Sequence, residues 1–270
     1  MSVAPQPYVH GYDAAESIRL RDQAGALEAL LHADTAYPAG SLVLEAGCGV
    51  GAQTVVLARN SPGARFVAVD VSPDSVAETR RRLEAAGCAN VRVMQGDIHD
   101  LPMAEGSFDH VFVCFVLEHL ADPLRALAAL RRLLRPGGTI TVIEGDHGSA
   151  FFHPDDAAAR DAIACLVELQ RRAGGDPMIG RRLTGLLQQA GFDRVRTAPR
   201  CVHADGATPA LADAFTRRTF AAMVAAARDA ALQARMIEPS RFDAGIAALH
   251  RSAERDGAFC YTFFKAVAVR

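Results

Sequence analysis

The sequence predicts an α/β protein built on a doubly wound, mostly parallel sheet of seven strands. Two patterns lead there. Short apolar runs of strand length alternate with longer segments in which apolar residues recur every three or four positions, the order expected of strands joined by crossover helices. The run from Phe108 to Val116 is apolar apart from Asp109, His110 and Cys114, which fits a strand covered by helices on both faces, as parallel sheets require. At 270 residues the chain can bury the core of one enlarged domain, or of a domain with a cap.

Residues 1–12 carry prolines, a glycine, two tyrosines and a histidine without apolar period, and read as an irregular arm. Asp13 then has the position of an N-cap with Glu16 at capping-box spacing, and Ile18, Ala24, Leu27, Leu30 and Leu31 stripe the helix that follows. Pro38-Ala39-Gly40 leads into a first buried strand, Leu42 to Leu44, then three glycines at every second position and a helical pattern from Ala52 to Asn60. Phe66 to Val71 is a second strand. Ser72-Pro73 caps the next helix, and Gly87 stands where a helix commonly ends. Val91 to Asp97 is the third strand and its turn, and Phe108 to Val116 the fourth. Asp122-Pro123 opens a helix striped by Leu124, Leu127, Leu130, Leu133 and Leu134, which Pro136-Gly137-Gly138 stops before a fifth strand, Thr139 to Glu144.

Beyond residue 148 the pattern changes. Pro154-Asp155-Asp156 opens an amphipathic helix to about Arg172, and Ile179 to Ala190 is another, closed by Gly191. Val195 to Val202 alternates as an edge strand, and Cys260 to Val269 is the last strand. Between these two lie alanine-rich residues that read as two helices broken at Glu238-Pro239. So long a connection is expected to be a helical cap over the substrate.

Composition narrows the class. Half the residues are apolar and the net charge is −2, so there is no basic surplus for nucleic acid. The arginine clusters at 80–82, 131–132, 171–172 and 181–182 read as solvated helix faces and helix C-terminal ends. No apolar run is long enough to span a bilayer, and no basic segment followed by an apolar one opens the chain. Six scattered cysteines without a C-x-x-C pair suggest neither a zinc site nor a redox motif and fit a reducing cytoplasm. The expected partner is a small molecule, with neither nucleic acid nor membrane. The sequence does not set the oligomeric state.

The chemistry concentrates at Leu42-Val43-Leu44-Glu45-Ala46-Gly47-Cys48-Gly49-Val50-Gly51. A glycine turn between a buried strand and a helix lets a ligand approach the main chain, since no Cβ intervenes, and is expected to aim free N–H groups at it. Gly47, Gly49 and Ala52 also satisfy the loose dinucleotide pattern, so a nicotinamide cofactor is one reading. Asp70 ends the second strand about 20 residues after the glycines, where a carboxylate can accept hydrogen bonds from ribose hydroxyls.

The stretch resembles the first motif of the class I S-adenosylmethionine-dependent methyltransferases, an acidic residue followed by G-C-G-x-G, in Glu45 and Gly47 to Gly51. Gly96-Asp97-Ile98 fits the place where that family holds the adenine amino group, and Leu134-Arg135-Pro136-Gly137-Gly138-Thr139 resembles the turn before its fifth strand. These signals fall in the family's order over roughly residues 40–146. The stretches Tyr37-Pro38, Phe112 to His119, Glu144 to Gly148 and Phe259 to Lys265 further resemble an uncharacterised archaeal methyltransferase group, which names no substrate. The resemblance implies a Rossmann-like methyltransferase fold whose last two strands form a hairpin, and S-adenosylmethionine as cofactor. It implies a cofactor site of Glu45, Gly47, Cys48, Gly49, Gly51, Asp70, Val71, Gly96, Asp97, Ile98 and Cys114, completed by Tyr12, Arg19 and Gln23.

Catalytic residues of such an enzyme lie along the carboxyl rim of the sheet, because methyl transfer needs alignment and water exclusion rather than a covalent intermediate. Glu118 and His119 follow strand four, and Glu144, Asp146 and His147 follow strand five. His147 is the candidate base, since an imidazole titrates near neutrality. Glu144 and His119 are further candidates, and Tyr8 can face the sulfonium by a cation–π contact. Strand four ends without a carboxylate, so a magnesium site of the catechol type lacks a ligand and no metal is expected. The expected organisation is an arm and lid helix over 1–40, a cofactor core over 41–147, and a remainder over 148–270 that completes the sheet and carries the cap at about 153–175 and 209–256. The expected reaction is methyl transfer to a small apolar or aromatic metabolite, with carbon methylation of an indole- or quinol-like ring preferred. Transfer to nitrogen or oxygen, a nicotinamide-dependent oxidoreductase and a non-catalytic cofactor-binding module are the alternatives.

Overall fold

The computed structural model describes residues 27–270. Tyr8, Tyr12, Arg19 and Gln23, and with them the arm and most of the first helix, lie outside the described residues. The first described element is a helical segment, α1 (27–32). It then alternates as β1 (Leu42–Ala46), α2 (Ala52–Asn60), β2 (Arg65–Asp70), α3 (Pro73–Ala85), β3 (Val91–Gln95), β4 (Phe108–Cys114), α4 (Pro123–Leu133) and β5 (Leu134–His153). After β5 come α5 (Ala157–Arg172), α6 (Leu183–Gln189), β6 (Asp193–Asp205) and a group of short helices, and β7 (Ala258–Val269) closes the chain.

The seven strands form one sheet in the order β3-β2-β1-β4-β5-β7-β6, and the pairs β1–β2, β2–β3, β1–β4 and β4–β5 are parallel. β1 is flanked by the strand that follows it and by β4, so the direction of winding reverses beside it. The register places Ala46 level with Val69 on one side and Val113 on the other. The glycine turn therefore leaves the carboxyl edge at the switch point, where ligands of open α/β sheets bind.

The helix starts obey local rules. The Ser72 hydroxyl accepts from the Ser75 N–H with Pro73 in the first turn, Asp122 accepts from Arg125 N–H ahead of Pro123, and Asp156 accepts from the Ala158 and Ala159 N–H groups.

Two expectations need correction. β5 is a continuous 20-residue strand, not the short strand expected from Thr139 to Glu144. Pro136-Gly137-Gly138 does not stop the chain before it. The turn is a bulge inside it, since Phe108 faces Leu134 whereas His110 already faces Thr139. Gly137, at φ +77°, lets the extra residues loop out, and main-chain bonds from Gly137 N–H to Arg270 and from Arg270 N–H to Gly138 hold them in place. Glu144, Asp146 and His147 thus lie within a strand rather than after one. The alanine-rich connection, read as two helices, is also more divided. It comprises α7 (Pro209–Leu211), a wide π-helical stretch (Ala212–Ala221), α8 (Ala222–Ala226), α9 (Arg228–Gln233) and α10 (Pro239–Arg251). Pro239 opens α10 as expected, but the stop after α9 uses Arg235 at φ +53° in the place where glycine is usual, and so leaves no compositional signal.

The described residues fall into two compact units. The first, 28–145 with 179–200 and 264–270, holds β1 to β4 and a core in which Leu44, Val111, Val113, Leu127, Leu130, Ile140 and Val142 are fully buried. The second, 146–178 with 201–263, holds α5 and the short helices. Its interior is aromatic. Phe220 lies 4.8 Å from Phe259 and 5.5 Å from Tyr261 between ring centroids, and Tyr261 lies 4.8 Å from Phe263. Helices α5 and α10 cross so closely that a Cβ on Gly245 would stand 2.4 Å from the Ala158 carbonyl oxygen. Alanine is the better helix former by about 1 kcal/mol, yet Gly245→Ala should lower the unfolding midpoint in urea. A stabilised variant would show that the crossing yields to the extra methyl.

Candidate active site

The turn after β1 is folded back on β2. The Val69 carbonyl accepts from both Gly47 N–H (2.8 Å) and Cys48 N–H (2.9 Å), and Gly51 N–H donates to the Cys48 carbonyl. Gly49 N–H donates to Asp70 Oδ2 at 2.8 Å. The donors of Gly47, Cys48, Gly49 and Gly51 are thus used within the protein, which corrects the expectation that they would be aimed at a ligand. What the glycines contribute is conformation and space. Gly47, Gly49 and Gly51 all have positive φ, and a Cβ on Gly47 would stand 2.4 Å from a Val116 methyl. A Cβ on Gly49 would meet nothing within 4 Å, so this part of the main chain is open to a ligand.

Around the turn stand the ends of β1, β2 and β3. Glu45, buried in β1, has its carboxyl pushed up to about 8, chiefly by burial and further by the nearby charge of Asp70. Asp70 takes Ser72 N–H on Oδ1 (2.9 Å) and Gly49 N–H on Oδ2. Burial still holds its carboxyl above the ordinary value against those bonds. Each carboxylate oxygen has two lone pairs, so Asp70 keeps acceptor capacity for ribose hydroxyls. Val71, next along, is an apolar side chain 47% exposed.

Gly96 N–H donates to the Asp70 carbonyl, which brings the β3 turn against the end of β2. Ile98 is buried there. Asp97 Oδ1 accepts from the His99 N–H (2.9 Å) and meets His99 Nδ1 at 2.8 Å. Burial would raise its carboxyl, but these bonds outweigh it and the group lies below its ordinary value. Cys48 and Cys114 are buried thiols held high by desolvation, and neither is a nucleophile at neutral pH.

Glu144 is fully buried, and its Oε1 accepts from Val116 N–H (3.0 Å) and Leu117 N–H (2.8 Å), two amides of the turn after β4. Burial and the nearby Glu118 carboxyl hold its pKa well above the ordinary range, against those two amides. The geometry gives Glu144 the work of holding that turn, with Val116 against Gly47. In the same turn His119 Nε2 lies 3.6 Å from Glu118 Oε1. His147, in the second unit, is buried. Its Nδ1 lies 2.8 Å from the Tyr261 hydroxyl, and its main-chain N–H donates to the Pro177 carbonyl. Sequence reasoning missed Thr79, whose hydroxyl donates to the Gly49 carbonyl at 2.7 Å, along with Val116 and Tyr261. Each is brought in from a distant element; Val116 and Tyr261 lie in stretches that carry the family resemblance, but nothing local marked any of the three as a site residue. Among the described residues no group of three or more His, Cys, Asp or Glu side chains is arranged to hold a metal.

An open parallel sheet whose switch point carries a Cβ-free turn, an acceptor carboxylate and an exposed apolar side chain defines a core that binds a nucleoside-type cofactor. Residues 44–142 match the methyltransferase domain family, and the core has the Rossmann-like fold of the class I S-adenosylmethionine-dependent methyltransferases. The demethylmenaquinone methyltransferase of Thermus thermophilus is 37% identical over 102 residues, covering 38% of this chain and 46% of that protein. Two solved structures share the fold. The cyclase SpnF superposes with a TM-score of 0.57 at 20% identity over 92% of this chain and 80% of its own. Phosphoethanolamine N-methyltransferase 2 of Haemonchus contortus, in complex with phosphomonomethylethanolamine and S-adenosylhomocysteine, gives 0.54 at 16% identity over 92% and 52%. The chain spans less than half the length of the first curated relatives it matches, 44% of one and 46% of the Thermus protein. No helix among the described residues is long and apolar enough to cross a membrane.

Asp70→Ala removes the acceptor of the Gly49 and Ser72 N–H groups as well as that for the ribose. It should weaken S-adenosylmethionine binding at least tenfold in a calorimetric titration, the loss of one hydrogen bond to a charged group being worth about 1.5–3 kcal/mol. Glu45 gives a second expectation. Its folded-state pKa lies above the unfolded value of 4.5, so the folded chain holds the proton more tightly. Its contribution to stability is therefore lost progressively as pH rises from about 4.5 to about 8. Glu45→Gln should flatten that part of the stability–pH curve. Parallel curves for the two proteins would contradict the assignment.

Proposed function

We propose that this protein transfers the methyl group of S-adenosylmethionine to a small apolar or aromatic metabolite, with carbon methylation of a quinol-like ring preferred over an indole, and that it works in the cytoplasm. The carrying observation is the clasp between Gly49 and Asp70 at the switch point, in a core 37% identical to a demethylmenaquinone methyltransferase. In this reading the Cβ-free main chain at Gly49 takes the methionine part, Asp70 with Glu45 the ribose, and Val71, Ile98 and Asp97 the adenine. Arg19, Gln23 and Tyr12 are assigned to the cofactor from the N-terminal segment, and Tyr8 to the sulfonium. S-adenosylmethionine supplies an electrophilic methyl group on a cationic sulfur that leaves neutral.

The rest of the work belongs to the chain. The second unit is assigned to the acceptor, and its aromatic interior supports an apolar ring as substrate. His147 is the proposed base. Its Nδ1 meets the Tyr261 hydroxyl, and when Nδ1 carries the proton and donates to that oxygen, Nε2 is left as the basic nitrogen. The Tyr261 hydroxyl, which can accept as well as donate, is able to hold the tautomer that a base requires. Glu144 and His119 are assigned to shaping the turn after β4 rather than to proton transfer.

The test uses methyl donor labelled in the transferred group, a panel of quinols, indoles, phenols and amines, and the protein at micromolar concentration. Labelled carbon on a quinol ring is expected. Label on nitrogen or oxygen would keep the enzyme and replace the acceptor, and no incorporation from any member would remove the reading. With an active acceptor, His147→Ala should lose about 10²–10⁴-fold in kcat while cofactor binding is retained. Near-normal turnover would remove His147 as the base.

A further inference from the structure

Spacing in the sequence offers no redox motif, yet the fold assembles one group of reactive side chains in the second unit, outside the cofactor core. β6 and β7 are neighbours in the sheet. Cys260 Sγ lies 3.0 Å from His203 Nδ1, and His203 Nε2 lies 3.2 Å from Asp205 Oδ2. Asp205 is held ionised, its carboxyl lowered by the Ala207 N–H and by hydrogen bonds from Thr208 and His203. An ionised carboxylate can only accept, so Nε2 carries a hydrogen toward it, and in the neutral imidazole this is the one ring N–H. Nδ1 is then an acceptor, and the hydrogen between it and Cys260 is the thiol proton. The three groups form a relay in the order Asp205, His203, Cys260.

The strand pair explains how a core element presents this group. Side chains alternate along β7. Phe259, Tyr261 and Phe263 point into the aromatic interior, whereas Cys260 and Thr262 turn to the other face and are only partly buried. On that face His203 is 59% exposed. A second thiol, Cys201, lies on β6 and is more exposed than Cys260, and among the described residues its sulfur meets the Thr262 hydroxyl, at 3.7 Å, rather than an imidazole.

We propose that Cys260 is a nucleophilic thiol, deprotonated by His203 as it attacks, and that its natural reaction is with hydroperoxides. In that step the sulfur attacks one peroxide oxygen, an S–O bond forms and the O–O bond breaks. The sulfur gives up two electrons and becomes a sulfenic acid, and the hydroperoxide is reduced to an alcohol, or to water when it is hydrogen peroxide. The thiol proton passes to His203 Nδ1 and on to the departing oxygen. Burial, with Cys201 and Asp205 nearby, keeps the free thiol protonated at neutral pH, which is why the reaction needs the imidazole.

The test compares two cysteines in one protein. Alkylation by iodoacetamide at pH 7, followed residue by residue by mass spectrometry, should be at least tenfold faster at Cys260 than at the more exposed Cys201. His203→Asn, which keeps a polar side chain but no base, should bring Cys260 down to the Cys201 rate. Hydrogen peroxide with dimedone should place the adduct on Cys260 in the wild-type protein and lose it in the variant. Cys201 reacting as fast as Cys260, an unchanged Cys260 rate in His203→Asn, or a wild-type protein without a dimedone adduct on Cys260 would each overturn the proposal. The wild-type ratio of the two rates decides the matter even if the variant fails to fold.

Discussion

One carbonyl organises the cofactor core. Val69 accepts from Gly47 and Cys48 together, which ties the chain leaving β1 to the end of β2. Two donors can reach one acceptor only if the main chain turns back sharply. Positive φ at Gly47, Gly49 and Gly51 permits that without a side-chain clash. The next residue after Val69 is Asp70, whose carboxylate closes the clasp on Gly49. Thr79 from α3 and Val116 from the turn after β4 press on the same loop. Four segments thus share the site.

The clasp changes how the glycine motif should be understood. The amides that such a turn is usually expected to offer a ligand are already paired here. Recognition falls instead to shape, to the lone pairs of Asp70 and to the apolar flank of Val71. The acidic residues around it are held at a cost. Glu45 and Glu144 are buried carboxyls whose pKa desolvation holds above the ordinary carboxylate range. Glu144 recovers part of that cost by accepting two main-chain amides.

β7 shows how one strand can serve two purposes. Its odd-numbered residues Phe259, Tyr261 and Phe263 supply the aromatic interior of the second unit, and Tyr261 reaches His147. Its even-numbered residue Cys260 meets His203 on the other face. The period of two that builds the core thus also separates an interior histidine from a surface thiol.

The order of elements, the strand–glycine–helix junction, the caps at Ser72, Asp122 and Asp156, and the acidic ends of β1 and β2 were legible in the sequence, because each depends on neighbours within a few residues. Local chemistry could not reveal the length of β5. Pro136 and Gly137 look like a stop until an adjacent strand pairs across them and turns the interruption into a bulge. Nor could it reveal the stop at Arg235, which carries no glycine to announce it. The partners of individual side chains were the least legible. Thr79 lies 30 residues from Gly49, Cys260 lies 57 from His203, and Tyr261 lies 114 from His147. Which of many distant polar groups meet is decided by strand register and helix packing. These are properties of the assembled sheet, and no short window of residues contains them.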